Sequence, residues 1–304
     1  MSYAIIFTGQ GIINIQHFKK IILNEKQVKY FFDRTSEKIS FNIWSCIQNN
    51  IHKIFYYKKY IQPIIFTFSV AIYKIWMKYK PLPKLAAGSS LGEYSALYCA
   101  NAIKYSDAIK LLLIRSKYMQ DCIKEKYSSM ILIRGLNTNI IKKICKFVKK
   151  KNIVSIANFN TPKNIILTGN QQGIIQTINY CKKYDVKLIL NLPIYTPSHC
   201  ILLKKASKKI NFSFKKIKIK KPKFNIIHNY NVKSQKKKKI KKTLIKQLYK
   251  PVRWEETINY ITSKNIKKII EIGSLGLKKY LNKTKKYPKI LTLKNLYNKI
   301  HIIK

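Results

Sequence analysis

Gly88-Ser89-Ser90-Leu91-Gly92 matches G-x-S-x-G. In that pattern a serine sits on a tight turn between a strand and a helix, with its hydroxyl exposed as a nucleophile. The flanks fit: Lys84-Leu85-Ala86-Ala87 can end a buried strand, and residues 93–103 read as a helix. A serine hydroxyl needs a base to take its proton, and histidine is the usual one. The chain has five histidines, His17, His52, His199, His228 and His301. His17 and His52 lie on helix-like segments and read as surface residues. His199 follows Pro193-Ile194-Tyr195-Thr196-Pro197-Ser198, where two rigid rings suit a side chain that must be held in place, so it is the candidate base.

An imidazole acting as base needs a third group to orient it. In the chain order of α/β-hydrolases an acid between Ser90 and His199 would be Asp107, Asp121, Glu125 or Asp185, besides Glu93 on the elbow helix. None occupies a strand-to-loop position of the expected kind, which leaves a backbone or amide carbonyl for this task. Gly9-Gln10-Gly11 directly follows the first strand. Two glycines permit a sharp turn and free the Gln10 N–H to face an oxyanion, with the Leu91 N–H as second donor; an ordinary β-turn fits the same residues. Arg115 stands among Leu111, Leu112, Leu113 and Ile114. So apolar a setting calls for an anionic partner, and a planar fork can grip a carboxylate at two points. A structural ion pair or a snorkelling side chain is the other reading.

The elements that must position these groups follow from periodicity. Residues 3–8 read as a strand, 18–22 and 43–54 as helical, and 64–79 as a helix opened by Pro63. Ser106-Asp107 is expected to cap a helix over 108–123 that carries Arg115. From residue 130 the pattern becomes strand 130–133, helix 139–149, strands 153–156 and 165–168, helix 171–184, strand 186–190. That β-α-β-β-α-β order is a ferredoxin-like unit. The expected fold is α/β: an α/β-hydrolase-like core with a parallel sheet over 1–124 and 197–304, and a ferredoxin-like α+β subdomain inserted at 125–196. A lysine-rich stretch at 236–239 opens a helix reaching Tyr249, and 266–272 is a late strand.

Lysine and arginine number 62 against 11 acids, a net charge of +51, yet only Arg34, Arg115, Arg134 and Arg253 are arginine. Lysine, isoleucine, asparagine and tyrosine have codons rich in A and T, so drift in an AT-rich genome accounts for the bulk charge. Nucleic-acid binding would gather the lysines on one face or tail, whereas they are spread along the chain, so no specific nucleic acid is expected. The six cysteines form no C-x-x-C pair and have no histidine cluster beside them, which predicts free thiols, no metal and a reducing compartment. No basic leader precedes an apolar stretch and no segment is long and apolar enough to span a bilayer, so a cytoplasmic protein is expected.

Taken in order, several motifs resemble the malonyl-CoA:acyl-carrier-protein transacylase family nearly end to end. They are Phe7-Thr8-Gly9-Gln10-Gly11, Gln62-Pro63, Gly88 to Leu97, and Arg115-Ser116-Lys117-Tyr118-Met119-Gln120. Asn158-Phe159-Asn160-Thr161-Pro162, Pro197-Ser198-His199-Cys200, Gln247 to Trp254 and Glu271-Ile272-Gly273 complete the set. The chain departs from the family at Thr8, Ile12-Ile13, Ser89 and Ser274-Leu275. The resemblance implies Ser90 as nucleophile, His199 as base, and Gln247 supplying a carbonyl in place of a triad acid. It implies Gln10 and Leu91 as the oxyanion hole and Arg115 as the clamp on the malonyl carboxylate. Malonyl-CoA is then a substrate, acyl carrier protein the partner, no cofactor is needed, and a monomer is expected. A thioesterase- or esterase-type serine hydrolase on a related core is the alternative.

Overall fold

The computed structural model describes residues 2–10, 26–50, 58–121, 128–192, 196, 198–273 and 288–292. Nine strands form two sheets among these residues. The first sheet has five strands: β1 (Tyr3–Phe7), β2 (Leu85–Gly88), β7 (Asn225–Ile227), β8 (Lys268–Ile272) and β9 (Lys289–Thr292). Their order is β7-β2-β1-β8-β9 and every pairing is parallel. A parallel sheet must be covered on both faces, which is why β1 and β2 are buried at every residue. Tyr3, Ile5 and Phe7 join a large core made with the helices Lys26–Ile39, Ile61–Trp76, Gly92–Cys99 and Tyr105–Asp121. Ala4 and Ile6 face the other way, onto Val252, Trp254, Ile258 and Ile261 around the helix Trp254–Thr262.

The second sheet holds β3 (Ser128–Arg134), β4 (Val154–Thr161), β5 (Asn164–Asn170) and β6 (Leu188–Asn191) in the order β4-β5-β3-β6, all antiparallel. Helices Thr138–Val148 and Gln171–Lys182 close a separate core with it. Element order and strand order are those of a ferredoxin-like unit, as the sequence predicts. Val252, which shares a core with Ala4 and Ile6 of the first sheet, bonds to β4 of the second: it donates its N–H to the Ala157 carbonyl at 2.8 Å and accepts from the Phe159 N–H at 3.0 Å.

Several boundaries differ from expectation. The helix read over 93–103 stops at Cys99, because Asn101 turns left-handed at φ 59°. Asn101 donates its N–H to the Tyr98 carbonyl and Ala102 to the Leu97 carbonyl, both at 2.8 Å, which closes a Schellman-type cap. The helix expected from Ala108 begins at Tyr105, so Ser106-Asp107 lie inside it rather than capping it. Helix Lys26–Ile39 is not among the elements expected from the sequence, although Val28, Phe31, Phe32, Thr35 and Ile39 bury one face of it at helical spacing; strands β7 and β9 are too short to show a period. Residues 18–22 and 51–54 lie outside the described residues, and helix Ile43–Asn50 accounts for the rest of that reading. Among the described residues no helix is long and apolar enough to cross a membrane, and no acid, histidine and cysteine cluster could hold a metal. Cys46, Cys99, Cys145, Cys181 and Cys200 are in no disulfide among the described residues.

Candidate active site

Strands β1 and β2 run side by side with Phe7 opposite Gly88, so the segments that leave their C-terminal ends meet at one edge of the sheet. This is where open parallel sheets place their sites. Ser89 donates its N–H to the Phe7 carbonyl at 2.8 Å, and Ser90 follows in the left-handed region at φ 51°. A side-chain-bearing residue there is strained and must be held by its surroundings. The flanking glycines answer a packing need. A Cβ on Gly88 would lie 2.0 Å from the Gly92 carbonyl, and one on Gly92 would lie 2.3 Å from the Phe7 carbonyl oxygen. One on Gly9 would come within 2.7 Å of the Ser89 carbonyl oxygen, so the turn after β1 rests against the elbow and brings Gln10 beside it. Leu91 precedes the helix Gly92–Cys99, whose first three N–H groups, those of Gly92, Glu93 and Tyr94, donate to the Ser89, Ser90 and Leu91 carbonyls at 2.9, 3.1 and 3.0 Å.

Asn229, just beyond β7, braces the turn. Its Oδ1 accepts from the Ser90 N–H and its Nδ2 donates to the Gly88 carbonyl, each at 2.6 Å. Gln247 Nε2 donates to the Ser90 carbonyl at 3.0 Å. Side chains far away in sequence therefore hold both peptide groups of Ser90.

His199 lies on the return from the second sheet, also left-handed at φ 64°, and is pinned by its N–H to the Leu248 carbonyl at 3.0 Å. Its Nε2 stands 2.7 Å from Ser90 Oγ and its Nδ1 2.7 Å from the main-chain carbonyl of Gln247. The carbonyl fixes the tautomer: Nδ1 carries the proton and Nε2 is left to accept one from Ser90. Burial holds the imidazole pKa down to about 4; the bond to Gln247 works against burial, and the nearby Arg115 cation adds to it. The base is thus neutral at ordinary pH. Asp107, Asp121 and Asp185 are not buried, and Glu125, Pro193 and Pro197 lie outside the described residues.

Arg115 is 2 % exposed on the helix Tyr105–Asp121. Its Nη1 donates to Gln62 Oε1 at 2.5 Å and its Nη2 to Ser90 Oγ at 3.3 Å, with its guanidinium 6.0 Å from the centre of the Tyr94 ring. Among the described residues its Nε has no hydrogen-bond partner and its guanidinium makes no ion pair. Burial lowers its pKa, as expected of a cation without a bonded anion. The arrangement is a neutral base on a serine hydroxyl, with a buried cation beside the hydroxyl. It suits attack by Ser90 on an acyl group that carries its own negative charge.

Reading the sequence did not single out Asn229 or His228, and it passed over Glu93. Asn229 and His228 are buried, and His228 Nδ1 contacts Glu93 Oε1. In a chain so rich in asparagine nothing local marks Asn229; only its burial and two short bonds do.

A nucleophile elbow at the C-terminal edge of a parallel sheet, with histidine on the serine, defines the class of serine-dependent acyl-transferring and hydrolysing enzymes. Residues 32–276 match the family model of the acyl transferase domain, and the chain belongs to that family. It is 41% identical over 304 residues to the malonyl CoA-acyl carrier protein transacylase of Buchnera aphidicola subsp. Schizaphis graminum, covering 98% of this chain and 96% of that protein. It is 31% identical to the enzyme of the same name from Escherichia coli strain K12, covering 89% of this chain and 88% of that one. Among solved structures, the malonyl CoA-acyl carrier protein transacylase from Coxiella burnetii superposes with a TM-score of 0.91 at 32% identity, over 96% of this chain and 94% of that one. A type II PKS acyl-carrier protein in complex with its malonyl-transacylase matches with a TM-score of 0.92 at 31% identity, over 98% of this chain and 100% of that one.

Proposed function

We infer that the protein moves the malonyl group from malonyl-CoA to the phosphopantetheine thiol of acyl carrier protein, for fatty-acid synthesis. One observation carries the choice of substrate: the Arg115 guanidinium, buried and without an ion pair among the described residues, lies 3.3 Å from Ser90 Oγ. His199 takes the Ser90 proton through Nε2, and Ser90 Oγ attacks the thioester carbonyl. The Gln10 and Leu91 N–H groups receive the oxyanion. The C–S bond breaks, coenzyme A leaves as the thiol with the proton from His199, and a malonyl ester stays on Ser90. The carrier thiol gives its proton to His199, attacks the ester and regenerates the serine, so the kinetics are ping-pong. Gln247 orients His199 through its main-chain carbonyl, in the place of a triad acid. Arg115 grips the distal carboxylate with two parallel bonds; an acetyl group would leave the cation buried without an anion.

The net charge of +51 favours encounter with two acidic partners, coenzyme A through its phosphates and the carrier protein through its helical surface. The reaction needs no cofactor, since serine, imidazole, guanidinium and two amides supply all of it. All these groups come from one chain, which suits a monomer acting in the cytoplasm. The catalytic core spans 1–124 and 197–304, with 125–196 as the ferredoxin-like insert. A hydrolase would have no use for the Arg115 clamp. The test is intact-mass measurement after mixing with malonyl-CoA: one malonyl adduct on the protein and none on Ser90→Ala. No adduct, or one that survives in Ser90→Ala, overturns the reading.

A further inference from the structure

Among the described residues no acid touches His199 Nδ1, yet a buried carboxylate lies one residue further back. Glu93 sits on the first turn of the helix Gly92–Cys99 and is 0% exposed. Its Oε2 accepts from Gln247 Nε2 and its Oε1 from His228 Nδ1. Gln247 is the residue whose main-chain carbonyl, at the last turn of the helix Lys237–Gln247, accepts from His199 Nδ1 at 2.7 Å. A carbonyl in a last turn has no intrahelical donor, so it is free to serve the imidazole, but only if the helix end is held in place. Gln247 Nε2 does the holding, since it donates to Glu93 Oε2 on one side and to the Ser90 carbonyl on the other.

We propose that Glu93 is a positioning residue for acyl transfer: the buried anion that aims the Gln247 carbonyl at His199 and raises the basicity of that imidazole, with His228 as its second anchor. The inference rests on Ser90 and His199 being nucleophile and base. A carboxylate sealed from water is costly unless its oxygens are hydrogen-bonded, and both oxygens of Glu93 are. Among the described residues its titratable and charged neighbours are His228, Arg115 and Tyr94. Burial and the Arg115 cation both disfavour a protonated His199. Glu93 is the negative charge that opposes them at the moment the imidazole takes the serine proton. In a usual triad the carboxylate touches the imidazole; here it stands one hydrogen-bonded residue behind.

Glu93→Gln separates charge from shape. Its Oε1 can still accept from Gln247, and its Nε2 can donate to His228 Nδ1 once His228 changes tautomer. The readout is the rate at which phenylmethanesulfonyl fluoride modifies Ser90 as a function of pH. That probe needs neither malonyl-CoA nor Arg115. A unit charge about 8–10 Å away in a medium of effective permittivity about 20 moves an imidazole pKa by on the order of one unit. Removing a negative charge moves it down. Glu93→Gln is therefore expected to keep the wild-type circular dichroism, shift the acid limb to lower pH, and react about three- to tenfold more slowly on the plateau. Glu93→Asp keeps the charge and is expected to keep the wild-type limb; it also serves if the Gln variant does not fold. A Gln variant with the wild-type limb and plateau, or an Asp variant whose limb moves to lower pH, overturns the proposal while leaving nucleophile and base in place. Wild-type protein that the probe does not modify at Ser90 overturns both.

Discussion

Arg115→Lys tests the substrate assignment most directly. Arg115 uses Nη1 on Gln62 at 2.5 Å and holds Nη2 3.3 Å from Ser90 Oγ, with Nε unpaired among the described residues. A guanidinium in that pose can stay anchored on Gln62 and still present two N–H groups to a carboxylate. A lysine keeps the charge but is a single point on a flexible stem, and it cannot do both. One charge-assisted hydrogen bond is lost, worth about 1.5–3 kcal/mol. That corresponds to a fall of about 10- to 150-fold in kcat/KM for malonyl-CoA. Acetyl-CoA has no carboxylate to lose, so its kcat/KM changes little and the malonyl-to-acetyl preference falls by the same factor. The assay follows acyl transfer to the carrier thiol by mass spectrometry with each donor, alongside a melting curve to show that the variant is folded. An unchanged preference, or equal slowing on both donors, would refute the two-point grip. Gln62→Ala leaves Arg115 in place without its anchor and should lower the preference in the same direction.

Three further outcomes are expected. His199 has a folded pKa of about 4 against an ordinary 6.5, so between those values the unfolded chain binds a proton that the folded chain does not. Stability from this group therefore falls as pH drops through that window, by about 3 kcal/mol in all; His199→Gln should remove this share of the slope in urea unfolding at pH 7 and pH 4.5, and equal slopes would count against it. Gly92→Ala would put a Cβ 2.3 Å from the Phe7 carbonyl oxygen, a main-chain atom that cannot swing aside. A loss of about 1–3 kcal/mol and a slower Ser90 adduct should follow; a variant that melts with the wild type would deny the close approach. A chain of net charge +51 repels itself, so its Tm should rise as salt is added from low ionic strength to about 0.15 M; differential scanning fluorimetry showing no movement would refute this.

Whatever depends on neighbours along the chain was readable in its residues. Glycines four apart around Ser90, after an apolar run and before a helical one, specify a turn that only small residues can make, so the elbow was legible. The β-α-β-β-α-β order of the insert was legible for the same reason: alternation and helical period are local signals. Retention of arginine at 115 in a lysine-rich chain pointed to a forked donor, although not to Gln62 as its anchor. Which distant groups meet is a matter of the fold. His199 reaches Ser90 across 109 residues, and Asn229 reaches it across 139. Glu93, set aside for want of a strand-to-loop position, is joined to His228 across 135 residues and to Gln247 across 154. Such contacts leave no periodic trace, because a polar side chain becomes informative only when burial removes water and obliges it to find a partner. The nucleophile was written in the turn; the setting that orients its base was written in what the fold shuts away from solvent.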